Sequence, residues 1–582
     1  MTSHEPERRE AEPGWRPPDR RDAAIALGIF AFALGLRLAY LGEIRTIPFF
    51  EHLLIDARSY DDWSRQIAGG QWWGDRVFYQ APAYPYFLAS VRVLTGGGLW
   101  AIHVAQMVLG ALSCVALFFA GRLFFDRATG SVTGLLLAVY PPAIFFDGLI
   151  QKAGLGLLGT SCLLLLIALF QRRPAWWIAL LCGAVLGLLA LTRENSLIFV
   201  PAIPLWMALR FRAGSGAEED EDTLAPGRGI AAFALGLILV LAPVGVRNFT
   251  VGSTFAITTS QMGTNFYIGN HSGASGIYEP LLPGRHTPAF EGPDAALLAE
   301  EAMGRSLTPG EVSRYWLSRS ARFIGEAPGE WLALLASKAL MTLNRFEIPD
   351  TEDIYVYAED SRILALLLPR WHFGILLPLA AAGAVFAWPR RRDTWVLYAL
   401  STLCFVGVVA FYVFGRYRYP LVPLLLPLAG YGVVEAARCI LAAQGRLRRC
   451  VAPGLALCAA ALLANLELFD EGAFRLTAYT NMGYIMLKED RLVEADRYLS
   501  RAMAASSEDA DLQLHMGALR YQQGRLPEAE QHLRYAAKLE ERDHRPHLML
   551  ARVLRELGRT DEARRHRRVA ATLAPAEEAG ER

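Results

Sequence analysis

The sequence predicts an all-α protein in two parts, a polytopic membrane helix bundle of about eleven spans over residues 22–470 and an α-helical solenoid over 476–575. Three observations carry this. Hydrophobic residues make up 53% of the 582 residues with Gly left out of the tally, whereas a soluble domain reaches about 45–50% with Gly included. The mean hydropathy is only +0.24, so the apolar residues are gathered into blocks with polar chain between them. From about residue 476 onward the chain repeats with a period of 34 residues. The net charge of +1, from 58 Lys+Arg against 57 Asp+Glu, supplies no one-signed field and argues against nucleic acid as a partner. The seven Cys lie in or beside apolar runs with no CxxC pair, which argues against a disulfide framework or a Cys-ligated zinc site.

A span needs roughly 20 apolar residues with few charges. In order, the candidates are 22–41, 99–121, 130–146, 153–170, 175–191, 196–211, 229–246, 371–388, 394–414, 419–437 and 451–468. Residues 1–21, with Pro13, Pro17 and Pro18, read as a disordered polar tail. No short apolar region followed by a small-residue cleavage site precedes 22–41, so this segment reads as a retained span. The acidic run Glu218 to Asp222 reads as a solvated linker.

Basic residues near span ends orient a bundle, because basic loops stay in the cytoplasm. With the N-terminus inside, the inner loops carry Arg20 and Arg21, Arg122 and Arg127, Arg172 and Arg173, Arg210 and Arg212, Arg390 to Arg392, and Arg438 to Arg449. The short outer turns carry only Lys152, Arg193, Arg416 and Arg418. Two long segments, 42–98 and 248–370, then fall outside, and an odd span count places the solenoid outside as well. The expected location is the inner membrane of a bacterium, with the repeats periplasmic.

In the repeats, Gly483, Gly517 and Ala551 share one phase, Ala495, Ala529 and Ala563 a second, and Ala502, Ala536 and Ala570 a third. These small residues suit the close approach of two antiparallel helices, with Leu499 and Leu533 between them and Pro575 closing the last unit. The pattern resembles the tetratricopeptide repeat, with Arg567 departing from it in the terminal helix, where a large apolar residue is usual. That resemblance implies a concave surface for a protein partner; the same helices could instead be a stabilising appendage.

The chain has no Walker A sequence, no Rossmann glycine fingerprint in strand–helix context and no HExxH pair, and His103, His271, His286 and His372 lack ligand spacing. Ionisable residues at the outer ends of spans remain, and charge at a membrane boundary is costly enough to mark function. The first outer segment carries Asp56, Tyr60, Asp61 and Asp62, then Tyr79-Gln-Ala-Pro82-Ala-Tyr84-Pro85. Further along come Tyr140-Pro-Pro142 with Asp147 and Lys152, Leu191-Thr-Arg193, Asn265-Phe-Tyr-Ile-Gly-Asn270, and Arg416-Tyr-Arg418-Tyr-Pro420.

Taken together, over roughly 22–440, these segments resemble the GT-C membrane glycosyltransferases, in particular the group of protein O-mannosyltransferases and the aminoarabinose transferase of lipid A. One departure is Ala57, where many relatives carry a second acid directly after the first. The resemblance implies a GT-C helix bundle that moves a sugar, with inversion, from a polyprenyl-phosphate donor to a protein or glycolipid acceptor. It implies contact with membrane lipid and leaves a divalent metal ion open.

Such a transfer needs a base for the acceptor and cations for the departing phosphate. Asp56 suits the base, with Asp147 the second catalytic candidate; Lys152, Arg193, Arg416 and Arg418 are the phosphate-binding candidates. Tyr60, Asp61, Asp62, Tyr84, Asn265 and Tyr267 are candidates for substrate contact. Each has an alternative. Asp56 could cap a helix, Asp147 could pair with Lys152, the two arginines could be interfacial anchors, and Asn265 to Asn270 could be a plain turn. A different class of function also fits, a non-enzymatic anchor whose repeats recruit envelope proteins. A lipid-linked-sugar transporter fits less well, because polar groups are almost absent from the middle of the spans.

Overall fold

The computed structural model describes residues 17–214, 226–253, 255–282, 288–441 and 447–573. Residues 1–16 of the tail, the acidic run Glu218 to Asp222 and Pro575 lie outside the described residues. Among the described residues every regular element is a helix, so the fold is all-α as expected.

Each apolar candidate falls on helix, but not all of them on one straight helix. Arg20–Ile44, Leu99–Phe124, Ala153–Arg172, Gly227–Gly252, Phe373–Ala410 and Leu421–Leu441 are long and apolar enough to cross a membrane by length and composition. The stretch Phe373–Ala410 folds back on itself at Trp388–Arg390: the Tyr398 hydroxyl donates to the Ala384 carbonyl at 2.8 Å. Residues that far apart on a straight helix would be about 21 Å away from each other, so 373–387 and 391–410 run antiparallel. The candidate 130–146 is bent by 56° between Arg127–Ala138 and Pro141–Asp147. Pro141 and Pro142 cause the break, since a residue before proline is pushed out of the helical region, and Tyr140 has φ −76° and ψ 110°. The candidate 196–211 begins as a 3₁₀ turn, Glu194–Phe199, and continues as Ala202–Gly214; Trp176–Ala190 and Val451–Ala464 are short apolar helices.

Small residues let the backbones touch, as in other membrane bundles. A Cβ on Gly183 would lie 1.9 Å from the Phe233 carbonyl oxygen, and one on Gly236 would lie 2.0 Å from that of Leu180. Helices 176–190 and 226–252 therefore meet backbone to backbone at this reciprocal pair. One end of the bundle is tied by Asp22 to Arg122 at 2.9 Å and to Arg127 at 2.7 Å, and by Asp126 to Arg438 at 2.7 Å.

Inside the bundle, Arg37 Nε donates to Asp147 Oδ2 at 2.8 Å, and both side chains are fully buried. Gly110 makes room for them, since a Cβ there would sit 1.9 Å from Asp147 Oδ2. Removing one partner of a buried pair strands a charge and costs about 3–5 kcal/mol, whereas an apolar replacement of both is close to neutral. Arg37→Met should therefore lower the melting temperature in detergent markedly, and Arg37→Met with Asp147→Leu should restore most of it. Equal loss in both variants would refute a pair that is only structural.

The C-terminal helices form three antiparallel pairs: Glu471–Lys488 with Leu492–Ala505, Ala510–Gln522 with Leu526–Leu539, and His544–Glu556 with Thr560–Leu573. The small residues sit where the helices touch. A Cβ on Gly483 would lie 2.5 Å from Leu499 Cγ, and one on Gly517 would lie 2.6 Å from Leu533 Cγ. Arg567 is exposed on the helix Thr560–Leu573. The first pair docks on the bundle: Phe346 packs against Phe469 and Phe474, Arg501 meets Glu359 at 2.6 Å, and the Tyr479 hydroxyl also donates to Glu359.

Candidate active site

Asp56 lies in the first turn of Ile55–Ala68, but Leu54 is the N-cap and the Asp56 carboxylate turns away from the helix amides. Its Oδ1 accepts from Gln80 Nε2 at 2.9 Å and its Oδ2 accepts from Arg416 Nη1 at 2.5 Å. Ile55, immediately before it, has φ +46°. For a β-branched residue that is a strained backbone costing about 1–3 kcal/mol, and the strain sits beside the carboxylate.

Arg416 arrives on the single turn Gly415–Arg418, and its Nη1 also lies 2.9 Å from Asp350 Oδ2. Its guanidinium lies 5.1 Å from the centre of the Tyr417 ring. Burial opposes its charge, but Asp350 and Asp56 outweigh burial and hold it protonated. Two more cations share this neighbourhood. Lys152 Nζ is 4.0 Å from Glu194 Oε2, which places it at the edge of ion-pair range, and Arg193 lies 6.0 Å from the Tyr417 ring centre. Arg193 Nε and Nη2 and Arg416 Nε are buried without a hydrogen-bond partner, an expensive condition that an incoming anion would relieve.

Acids not anticipated from the sequence complete the cluster. Asp350 and Glu352 stand in the loop after Pro328–Leu343, and Glu291 accepts from the Tyr278 hydroxyl at 2.5 Å. Burial pushes the Glu352 carboxyl up to about 8, with Asp350 adding to the effect, and pushes Glu291 up to about 7. An acid whose folded value is raised binds more protons folded than unfolded, so its contribution to stability is full below its ordinary value near 4.5 and is lost as pH rises through about 8. Glu352→Gln should accordingly flatten the fall in melting temperature between about pH 5 and 9. An unchanged pH profile would show that Glu352 is not held protonated.

Of the remaining candidates, Tyr60 lies within electrostatic reach of Asp56, Arg416 and Arg193, and the others are held by partners of their own. Asp147 pairs with Arg37, not with Lys152. Arg418 is turned away from Arg416: it binds Glu347 at 2.6 Å, donates to the carbonyls of Asn344 and Phe346, and stacks on Phe373 at 4.2 Å. Asp61 is held by Arg65 at 2.8 Å and by Arg92, and Asp62 is an exposed partner of Arg58 at 3.7 Å. Tyr60 packs edge-on to Tyr84 at 5.2 Å, and the Tyr84 hydroxyl donates to Gln106 at 2.6 Å. Asn265 accepts from Tyr412 at 3.4 Å, and Tyr267 stacks between His271 and Trp316. Among the described residues, no group of three or more His, Cys, Asp or Glu side chains is arranged to hold a metal ion.

Beside the cluster a cleft of about 1770 Å³ separates the first outer segment from the inner helices of the three C-terminal pairs. Ile55, Tyr79 and Gln80 line it, and Gln80 is the residue that hydrogen-bonds Asp56.

Comparison with known proteins gives a family match over part of the chain. Residues 79–215 match the model of the dolichyl-phosphate-mannose-protein mannosyltransferases, which bears out the resemblance to the GT-C membrane glycosyltransferases over a stretch containing Gln80, Lys152 and Arg193. No curated protein matches the chain. Among solved structures the chain is similar to the Archaeoglobus fulgidus oligosaccharyltransferase in complex with zinc and sulfate, at 14% identity and a TM-score of 0.43, with 81% of this chain and 56% of that one covered. It is also similar to ArnT from Cupriavidus metallidurans bound to undecaprenyl phosphate, at 15% identity and a TM-score of 0.37, with coverage of 88% and 79%. The chain thus spans little more than half the length of the archaeal enzyme.

Proposed function

We propose that this integral membrane protein is a glycosyltransferase that moves a sugar from a polyprenyl-phosphate donor to a protein or glycolipid acceptor on the outer face of the membrane. The observation that carries the reading is the juxtaposition of one carboxylate, Asp56, with Arg416, Lys152 and Arg193 at the end of an apolar helix bundle. The partial match to a family whose description names a dolichyl-phosphate-linked sugar and a protein supports it.

The chemistry follows from partner exchange. Arg416 is neutralised by Asp56 and Asp350. A donor phosphate takes the unpaired Arg193 and Arg416 nitrogens and competes for Arg416 Nη1, which frees the Asp56 carboxylate. The acceptor hydroxyl then gives its proton to Asp56 while its oxygen forms a bond to the anomeric carbon. The bond from that carbon to the phosphate oxygen breaks, and the leaving phosphate keeps the electron pair. The cations stabilise that charge where it grows. Attack opposite the phosphate inverts the anomeric centre, by the geometric logic of single-displacement sugar transfer.

A ligand that binds only the folded protein stabilises it by about 2.7 kcal/mol at a hundredfold excess over Kd. Polyprenyl phosphate should therefore raise the melting temperature of the purified protein, and polyprenyl alcohol should not. Equal shifts from both would remove the phosphate site. The reading further places 42–98, 248–370 and the C-terminal helices outside, which takes an odd number of crossings, eleven by the sequence count. Alkaline phosphatase fused after Arg582 should be active; activity only of a cytoplasmic reporter would refute that topology.

A further inference from the structure

We infer that the acceptor is an extended polypeptide held in the cleft between the first outer segment and the inner helices of the C-terminal pairs, so that the repeats are part of the acceptor site. The inference rests on the glycosyltransferase reading above and adds to it which surface holds the acceptor and what class of molecule the acceptor is.

Register is the first ground. The wall opposite residues 54–80 is built from the first helix of each pair, and equivalent positions face the cleft: Asn481, His515 and Met549 are 34 residues apart in turn, as are Leu514 and Leu548. Neighbouring packed helices are about 8–10 Å apart and an extended chain advances about 3.3 Å per residue. Each inner helix thus meets roughly three residues of such a chain at the same relative height.

Chemistry is the second ground. The cleft carries both signs of charge, Asp62, Asp75 and Asp511 beside Arg58, Arg76, Arg247, Lys488 and Arg545, with Asp511 paired to Arg545 at 2.7 Å, and it presents side-chain amides at Asn481 and Gln522. Lys488 Nζ lies 4.6 Å from the Tyr484 ring centre, and Tyr484 stacks on His515 at 4.7 Å. Amides and charges of both signs answer the N–H and C=O groups and mixed side chains of a polypeptide.

Continuity is the third ground. The cleft reaches Tyr79 and Gln80, and the amide of Gln80 binds the carboxylate proposed as base. Tyr79 Oη is buried there without a hydrogen-bond partner. A side chain passing Gln80 from the cleft would arrive beside Asp56.

The test places a benzoylphenylalanine photo-crosslinker at Gln522, which is exposed in the cleft wall, in cells carrying the full chain. The polypeptides captured are compared with those that lose a sugar when Asp56 is replaced by Asn. A second arm carries Asn481→Arg and Met549→Arg together, with Val493→Glu on the 85%-exposed outer surface as control. Stabilisation by undecaprenyl phosphate checks that both variants are folded. The inference predicts that captured and sugar-losing polypeptides coincide, that the double variant lowers sugar on them at least tenfold, and that the control and donor stabilisation are unchanged. It is overturned if capture falls on glycolipid or on polypeptides that never carry sugar, or if the double variant transfers normally. Sugar loss confined to glycolipids in Asp56→Asn would overturn this inference alone. Absence of any sugar loss both in that variant and in cells with no copy of the chain would overturn the glycosyltransferase reading and this inference with it.

Discussion

Asp56→Asn is expected to reduce sugar transfer by roughly a hundred- to ten-thousandfold, the contribution of a positioned general base. The substitution keeps the side-chain size, and an amide oxygen can still accept from Gln80. The amide nitrogen, however, would face Arg416 Nη1, which now lies 2.5 Å from Asp56 Oδ2. Two donors repel, so Arg416 would be left to Asp350 and become easier for a phosphate to capture. Polyprenyl phosphate should therefore stabilise the variant at least as well as the wild type, while turnover collapses. Transfer rates measured beside thermal shifts separate these two effects. Retention of most activity would exclude Asp56 as the base and direct attention to Asp350, Glu352 and Glu291.

Arg416 should give the second large effect. A hydrogen bond to a charged group is worth about 1.5–3 kcal/mol, and one tenfold step in rate is about 1.4 kcal/mol. Arg416→Ala should cost roughly ten- to a hundredfold in transfer, with Arg416→Lys in between, because Lys keeps the charge and loses the planar fork. The loss belongs mainly in kcat if the contact strengthens as the phosphate leaves, and mainly in KM if it only anchors the ground state. Arg418 provides the contrast. Its donors are committed to Glu347 and to the carbonyls of Asn344 and Phe346, so Arg418→Ala should lower the melting temperature and leave stabilisation by polyprenyl phosphate intact. If the two arginines behave alike, the assignment of Arg416 to the donor is wrong.

Much of the architecture was legible because it is written in local patterns. Apolar blocks report helices directly, and Gly483 with Gly517 reports helix contacts through the 34-residue period. The limits of that legibility lie where tertiary closure decides. Asp56 and Arg416 are 360 positions apart; each marked itself by its place at a span end, but nothing local shows that they meet. Asp350 and Glu352 sit in a run of acids after a helix, a pattern that usually means a solvated loop, and only the Asp350 contact with Arg416 and the burial of Glu352 make them part of the cluster. Arg37 and Asp147 show the reverse. Both are charges in apolar stretches of sequence, and they pair with each other inside the bundle, with Arg37 Nη2 and Asp147 Oδ1 left buried without a hydrogen-bond partner. Arg418 differs from Arg416 because two residues separated by one position on a helical turn point in different directions.

The most direct test of the account is mass spectrometry of envelope glycoproteins and glycolipids from cells that carry the wild-type chain, Asp56→Asn, or no copy. The account predicts one and the same set of sugar-bearing molecules to be lost in the second and third strains and retained in the first. Unchanged glycoconjugates in both strains, alongside an envelope defect that follows deletion of the C-terminal helices, would contradict it and leave the chain as a membrane anchor for protein partners.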